Sequence, residues 1–179
     1  MSKITVVTAS PRKKGNTNAM AAAFIEAAQA KGHEVVRFDT ADLTIGGCRA
    51  CDACAAKGEC VFSDDFKAVT DSIMEADGLV IAAPVYWYTF PAQIKGLMDR
   101  WYSLCLTERD FAGKKVALMS CCEEPTEETF TGIKFSFEKT MALLNGEVVD
   151  EILMTSVNAA GDINNTDGLD RAAALADRF

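Results

Sequence analysis

Five short apolar runs alternate with helical patterns along this chain, and that alternation limits its fold more than any other feature. The runs are Ile4–Ala9, Val35–Phe38, Leu79–Ala83, Val116–Ser120 and Val148–Met154. They are mostly continuous rather than alternating, although Arg37 interrupts the second run and Asp150 and Glu151 interrupt the fifth. Continuous apolar runs are typical of parallel strands buried on both faces. Because each run is followed by enough residues for a helix, the order of elements predicts a doubly wound α/β sandwich.

Helical spacing fills the segments between these strands. The apolar residues that carry it are Met20, Phe24 and Ala28; Phe66, Val69 and Ile73; and Ile94, Leu97, Met98 and Trp101. Residues 127–144 and 167–178 are also predicted to be helical. We therefore expect a three-layer single domain over residues 1–179, with a parallel sheet in the order 2-1-3-4-5 that is common for five strands.

Two pairs of charged residues are interpreted as structural. Asp64 and Asp65 are expected to cap the following helix and to supply its first-turn acid. Asp99 and Arg100 are expected to form a pair on a helix surface.

The fold indicates where function should lie. In doubly wound sheets, ligands bind beyond the carboxyl ends of the strands, where the strand order reverses. We therefore expect functional residues in the loops 9–17, 84–90 and 120–125. A cysteine-rich loop at 46–62 follows the second strand and should lie at the same edge of the sheet.

Composition excludes some classes of function. The net charge of −8 argues against nucleic-acid binding, which needs a basic surface. No apolar run approaches the roughly 18 residues needed to span a membrane, and the first residues do not have the pattern of a signal peptide. We therefore expect a cytoplasmic protein without a membrane partner, in a reducing compartment where seven cysteines favour metal or redox chemistry over a disulfide framework.

The loop after the first strand, "TASPRKKGNTNAM", has the composition of a phosphate-binding loop. It enters a helix, whose N-terminus offers free N–H groups and partial positive charge. Arg12 adds a fork of donors, and Gly15 permits a close turn. Short polar side chains come from Ser10, Asn16, Thr17 and Asn18. The loop matches neither the NTPase P-loop nor G-x-G-x-x-G, and its composition also suits a polar loop that merely caps a helix.

The loop after the third strand concentrates aromatic residues. Four fall within five positions, namely Tyr86, Trp87, Tyr88 and Phe90. They lie where the ring of a ligand would be if its phosphate occupied the first loop, and such a loop suits a flat, partly apolar ring. Aromatic residues also gather at subunit interfaces, and the two interpretations are compatible.

These loops carry a resemblance to a known family. "SPRKKGNT" after the first strand, with "PVYW" and "KGLMDR" after the third, resembles the NADPH-dependent FMN reductase family. The resemblance implies a flavodoxin-like fold, bound FMN and a homodimer or homotetramer. It implies that the FMN phosphate is held by Ser10, Arg12, Asn16, Thr17 and Asn18. It implies that the ring is lined by Pro84, Val85, Tyr86, Trp87 and, in the loop "SCCEE", Cys121. Cys121–Cys122 departs from the small or glycine-rich residues usual there.

Four cysteines in "CRACDACAAKGEC" have the spacing C-x2-C-x2-C-x5-C. From the residues alone they suit an iron–sulfur cluster, a tetrahedral zinc ion, or free or oxidised thiols. The spacing is not that of a bacterial ferredoxin, but it resembles the iron–sulfur flavoprotein branch of the same family. That resemblance implies one [4Fe–4S] cluster on Cys48, Cys51, Cys54 and Cys60.

The implied activity is that of an FMN-dependent oxidoreductase. It would take electrons from NAD(P)H or a reduced carrier such as ferredoxin and pass them to a quinone, free flavin or oxygen. The chain shows no obvious acid–base set, which is compatible with a flavin that carries the chemistry itself. The alternatives are a non-enzymatic electron carrier and a thiol or zinc module without a flavin.

Overall fold

Residues 1–179 are all described by a computed structural model, which contains a five-stranded parallel sheet. The strands are β1 (Lys3–Thr8), β2 (Glu34–Asp39), β3 (Gly78–Ala82), β4 (Lys115–Cys121) and β5 (Glu147–Met154). Their order is β2-β1-β3-β4-β5, and every neighbouring pair is parallel. The predicted doubly wound, flavodoxin-like sheet is therefore confirmed.

Seven α-helices connect and follow these strands. They are α1 (Asn16–Ala30), α2 (Ala53–Lys57), α3 (Phe66–Glu75), α4 (Ala92–Arg100), α5 (Tyr102–Leu106), α6 (Thr131–Leu143) and α7 (Gly168–Ala174). Five correspond to the predicted helices, with 3-10 turns at Glu127–Phe130 and Leu175–Arg178 completing the last two. The short helices α2 and α5 were not predicted. None of the helices is long and apolar enough to cross a membrane.

Both faces of the sheet are covered, which explains the continuous apolar runs. In β3, Leu79 and Ile81 face the core formed with α3, α4 and α6, whereas Val80 and Ala82 face the core formed with α1 and α7. The central strands are almost completely buried because they have helices on both faces and strands on both sides. The edge strands β2 and β5 are partly exposed.

The strand register brings the functional loops to one edge. Thr8 at the end of β1 is paired with Ala82 at the end of β3. Ala82 is paired in turn with Met119 of β4, which continues for two more residues. The helix after β1 lies on one face of the sheet, and the helix after β3 lies on the other. The chain therefore diverges above β1 and β3 and leaves a crevice at the predicted place.

Candidate functional site

A cavity of about 320 Å³ opens in this crevice. It is lined by all the residues predicted to bind FMN except Asn18, namely Ser10, Arg12, Asn16, Thr17, Pro84, Val85, Tyr86, Trp87 and Cys121. The loops after β1 and β3, which are far apart in sequence, thus form opposite ends of one space. Its volume falls within the range of small-molecule and cofactor pockets.

The end formed by the β1–α1 loop is suited to an anion. Gly15 is the N-cap of α1, no side chain caps the helix, and its first turn contains no acidic residue. The first N–H groups of α1 therefore lack intrahelical partners at the positive end of the helix. A Cβ on Gly15 would lie 2.9 Å from the Arg12 carbonyl oxygen, so the close turn requires glycine. Arg12 itself is exposed and contributes the cationic side chain of this end of the cavity.

Asn16 and Asn18 use their side chains to build this end of the cavity. Asn18 Nδ2 donates to the Arg12 carbonyl oxygen at 2.9 Å and so fixes the turn of the loop. Asn16 Nδ2 donates to the Ala159 carbonyl oxygen at 2.9 Å, and its Oδ1 accepts from the Gly161 N–H at 3.0 Å. Both amides are therefore engaged with the protein's own backbone. The groups left to face an anion are those of Ser10, Arg12 and Thr17, with the backbone N–H groups that begin α1.

The end formed by the β3–α4 loop is a tight turn. Tyr86 and Thr89 exchange backbone hydrogen bonds of 3.0 and 3.1 Å, and the two residues between them, Trp87 and Tyr88, have φ of +49° and +65°. Such φ values are costly for bulky residues and are typical of strained functional segments. A Cβ on Gly132 would collide with the Tyr88 carbonyl oxygen, so the start of α6 packs directly against this turn.

The aromatic residues of this loop divide between two environments. Trp87 is 93% exposed at the cavity mouth, and Tyr86 and Tyr88 are also exposed. Phe90 instead belongs to the hydrophobic core, and this residue is only 4% exposed. The apparent cluster of four aromatics therefore consists of three residues at the surface and one in the core.

Sequence reasoning missed part of the third wall of the cavity. Cys122 and Glu123 belong to the predicted loop 120–125, but Val157, Asn158 and Ala160 come from a loop after β5 that was not predicted. The loop after β5 is held there because the Val157 N–H donates to the Cys122 carbonyl oxygen at 2.9 Å and Asn16 binds the same loop from the other side. The signal was available, since β5 also ends at the ligand-binding edge of the sheet.

Adjacent cysteines lie where this third wall meets β4. Cys121 Sγ donates to Met20 Sδ at 3.5 Å, and Cys122 Sγ donates to the Glu124 carbonyl oxygen at 3.4 Å. Burial, with a smaller effect from Cys122, raises the pKa of Cys121 to about 12. Burial and the charge of Glu124 raise the pKa of Cys122 as well. Both thiols are therefore neutral at pH 7 and are not arranged as nucleophiles.

A second, smaller cavity is lined by the four cysteines of the predicted cluster motif. Cys48, Cys51, Cys54 and Cys60 reach it because the segment between the first three turns sharply, with φ of +49° at Ala50 and +54° at Asp52. The Ala50 N–H donates to Cys48 Sγ at 3.4 Å. This cavity shares no lining residue with the first one.

Arg100 completes the wall of the cysteine cavity, and its predicted role was wrong. Asp99 pairs with Lys95 one turn earlier, whereas Arg100 is only 2% exposed and forms an ion pair with Asp64. Position 100 follows Leu97 by three residues, so it lies beside the apolar stripe of α4 and faces the cysteine segment rather than solvent.

Asp64 and Asp65 hold the end of the cysteine segment. Asp64 Oδ1 accepts from the Phe66 N–H at 3.2 Å. The N-cap residue of α3 is nevertheless Asp65, and the first turn of the helix contains no acidic residue, so the predicted roles of the two aspartates were wrong by one position. Burial tends to raise the pKa of Asp64, but hydrogen bonds from Arg100 and the Phe66 N–H outweigh it and lower the pKa. Asp65 and Thr44 form two hydrogen bonds, of 2.7 and 3.1 Å, that join the ends of the segment. We call this pair the Thr44–Asp65 clasp.

The cysteine cavity offers four thiols as possible metal ligands. Nowhere in the chain are three Cys, His, Asp or Glu side chains gathered around one point. A cubane cluster is held by four thiolates at its separate corners. Four thiols that line one cavity, with a buried arginine beside them, fit the donor set of such a cluster.

Comparison with protein families identifies the chain. Residues 2–127 match the family model described as NADPH-dependent FMN reductase. The chain belongs to this family. The match covers β1 through β4 and hence the loops that form two walls of the larger cavity.

Curated relatives specify the branch within the family. An iron–sulfur flavoprotein of Methanosarcina thermophila is 38% identical over 112 residues, which are 63% of this chain and 58% of that protein. An iron–sulfur flavoprotein of Archaeoglobus fulgidus is 37% identical over 91 residues, which are 51% of this chain and 41% of that protein. The predicted family is thus confirmed, and the relatives carry the name of the predicted branch, although the chain spans only about half the length of these relatives.

Solved structures confirm the fold. An azoreductase from Bacillus anthracis superposes with a TM-score of 0.73 at 19% identity, covering 100% of both chains. An NAD(P)H:quinone oxidoreductase from Methanothermobacter marburgensis gives the same TM-score and identity, covering 98% of this chain and 95% of that one.

The environments of the cysteines lead to an expected alkylation pattern. With metal-free, FMN-free, reduced protein at pH 8, iodoacetamide should label the exposed Cys48, Cys51 and Cys105 rapidly and Cys121 very slowly. A thiol with a pKa of about 12 has roughly one part in ten thousand as thiolate at that pH. Peptide mass spectrometry measures the labels, and denatured protein, in which all seven should react, is the control. Rapid labelling of Cys121 in the folded chain would contradict the described environment.

Proposed function

We propose that this protein is an oxidoreductase that binds FMN in the larger cavity. It takes electrons from NAD(P)H or a reduced carrier such as ferredoxin and passes them to a small acceptor, such as a quinone, free flavin or oxygen. The proposal rests on one observation, which is that an uncapped helix N-terminus and the β3–α4 turn line the same cavity. Family membership supports the same cofactor. A cytoplasmic location is part of the proposal.

The residues present fit FMN at both ends of the cavity. A phosphate at the start of α1 would meet backbone N–H groups, the Ser10 and Thr17 hydroxyls, and the Arg12 guanidinium. A flat ring would meet Pro84, Val85 and the backbone of the Tyr86–Thr89 turn. FMN, when bound, supplies hydride and single-electron chemistry, and the protein supplies binding, orientation and electrostatics.

The chain's own groups keep the cavity chemically simple. Cys121 and Cys122 are protonated at neutral pH, so they add no negative charge and no competing thiolate. Val85 is held against the end of β4 by a 3.0 Å hydrogen bond from its N–H to the Cys121 carbonyl oxygen, so the ring end is rigidly attached to the sheet. This rigidity would hold a ring in one orientation beside the open mouth, where a donor or acceptor can approach.

We further propose that the protein functions as a homodimer or homotetramer. Trp87, which is 93% exposed, lies at the mouth of the cavity, and the exposed Tyr88 follows it on a turn braced by Gly132. Large aromatic residues are enriched at protein interfaces, and a second copy packed against this turn would cover them. The same surface would equally suit a protein electron donor.

Four cysteine thiols around the second cavity support a [4Fe–4S] cluster as the second redox centre. The names of the relatives favour this metal over zinc. Cys48, Cys51, Cys54 and Cys60 would hold the cluster, which supplies one-electron transfer when bound. The two centres together would let the protein exchange electrons both singly and in pairs.

Reduction of the bound flavin tests the proposed activity directly. Anaerobic FMN-loaded protein mixed with NADPH or NADH should lose its flavin absorbance near ~450 nm rapidly, since the flavin accepts the hydride. Stopped-flow absorbance measures the rate, with free FMN as the control. A flavin that NAD(P)H leaves oxidised but reduced ferredoxin reduces would instead favour the electron-carrier function. A protein that takes up no FMN would overturn both.

Arg12 provides a test of the phosphate end. Arg12→Ala should weaken FMN binding by about 1.5–3 kcal/mol, because a charge-assisted hydrogen bond is lost. This corresponds to a Kd increase of about 10- to 150-fold. Lys14→Ala is the matched control, because Lys14 lies in the same loop but outside the cavity. The Kd of this variant for FMN should stay within about threefold of the wild-type value. Equal effects of the two variants, measured by flavin fluorescence quenching, would remove Arg12 from the site.

Iron analysis tests the second centre. Protein purified without oxygen and reconstituted with iron and sulfide should contain about four irons and four sulfides per chain and absorb broadly near ~400–420 nm. Cys54→Ser should lower the iron content sharply, whereas Cys105→Ser, at an exposed position outside the cavity, should not. Zinc without sulfide would indicate a zinc site, and neither metal would indicate free or oxidised thiols.

A further inference from the structure

A buried cation directly adjoins one of the cysteines that we propose as iron ligands. Arg100 is 2% exposed, although arginine is rarely buried unless its charge is paired. Its Nη2 lies 3.2 Å from Cys60 Sγ, and its Nη1 contacts the Asp64 carboxylate. The side chain thus links Asp64, two residues before α3, to Cys60, the last cysteine of the segment.

The guanidinium is held in this position from several sides. It lies over the ring of Phe66, with 4.2 Å between the guanidinium carbon and the ring centroid, and 5.7 Å from the ring centroid of Phe62. Its Nε is buried without a hydrogen-bond partner. Aromatic rings on its faces and a carboxylate at one corner leave Arg100 little freedom, so the direction of its Nη2 toward Cys60 is fixed by the surrounding structure.

The ion pair alone does not require the contact with sulfur. Asp64 already balances the charge of Arg100, so charge balance does not account for the contact with Cys60. The hydrogen bond to Cys60 therefore calls for a separate explanation. A thiolate that ligates iron is a better acceptor than a thiol, and hydrogen bonds to cluster sulfurs are among the factors that set the potentials of iron–sulfur proteins.

We propose that Arg100 is a positioning residue that orients Cys60 and donates a charge-assisted hydrogen bond to its sulfur in the loaded protein. This inference rests on the proposed [4Fe–4S] centre. One-electron reduction adds negative charge to the cluster and its ligands, so a cationic donor at a ligand sulfur stabilises the reduced state more than the oxidised one. Arg100 therefore raises the midpoint potential of the cluster.

Another arginine at the same cavity offers a matched control. Arg49 also lines the cysteine cavity, where its guanidinium lies 4.8 Å from the ring centroid of Phe62. No hydrogen bond joins Arg49 to a cysteine sulfur, in contrast to Arg100. Removing either residue takes away one positive charge near the cavity, but only one removal takes away a hydrogen bond to sulfur.

The experiment compares reconstituted wild-type protein, Arg100→Gln, Arg100→Lys and Arg49→Gln. Potentiometric titration monitored by electron paramagnetic resonance gives the midpoint potential of each cluster, and unchanged FMN affinity shows that each variant is folded. Arg100→Gln should shift the potential to a more negative value, and by more than Arg49→Gln does. Arg100→Lys should recover part of the shift, because it keeps the charge but loses the planar fork.

Several outcomes overturn the inference. An unchanged potential in Arg100→Gln does so, and so do equal shifts in Arg100→Gln and Arg49→Gln, because these would reflect charge alone. If Arg100→Gln takes up no iron, Arg100→Lys decides. That variant keeps the charge but loses the planar fork that reaches Cys60, so it should have a more negative potential than the wild-type protein, and no shift overturns the inference. If wild-type protein takes up no iron, the proposed cluster itself is overturned. The preceding outcomes overturn only the role of Arg100 and leave the cluster proposal standing.

Discussion

The divergence of the chain above β1 and β3 is the constraint on which the larger cavity depends. The two strands are hydrogen-bonded neighbours, but the helices that follow them pack on opposite faces of the sheet. No side chain is needed to open the space between them, because the backbone itself separates there. The start of α1 faces this space without a cap, so the backbone also provides its electrostatic character.

The two cavities handle negative charge by different means. In the larger one, backbone N–H groups and an exposed arginine form the end that suits an anion. In the smaller one, a buried guanidinium lies against a sulfur and is itself held by a carboxylate. Both occur in a chain with a net charge of −8. Local placement of a few cationic groups, rather than the overall charge, therefore determines where this protein can accommodate an anion.

Much of the fold could be predicted from sequence because a strand buried on both faces of a sheet consists almost entirely of apolar residues. The three inner strands are nearly uninterrupted apolar runs, and the order predicted for the sheet was the one that is common for five strands. The residues around the larger cavity were predictable for a related reason, since loops at one edge of a parallel sheet must come together. The loop 157–160 obeys the same rule, but its small residues carry no chemical pattern that draws attention to it.

Side-chain direction was the part that sequence could not supply. Asn16 and Asn18 have the donors expected of a phosphate loop, yet their amides bind backbone groups of the protein. Phe90 belongs to an aromatic run but lies in the core. Arg100 appeared to be a surface residue beside Asp99, and its true partner precedes it by 36 positions. Each of these outcomes depends on tertiary contacts that local spacing does not encode.

The Thr44–Asp65 clasp has a consequence for how much the cysteine segment of this chain can vary in length. Its two hydrogen bonds close the cysteine segment at its base, between the edge strand β2 and helix α3. The entropy of closing such a loop changes slowly with its length, so residues inside the clasp can be added, lost or exchanged with little cost to the sheet. The wall residues of the two cavities do not overlap. The length of the cysteine segment can therefore change with little effect on the crevice above β1 and β3.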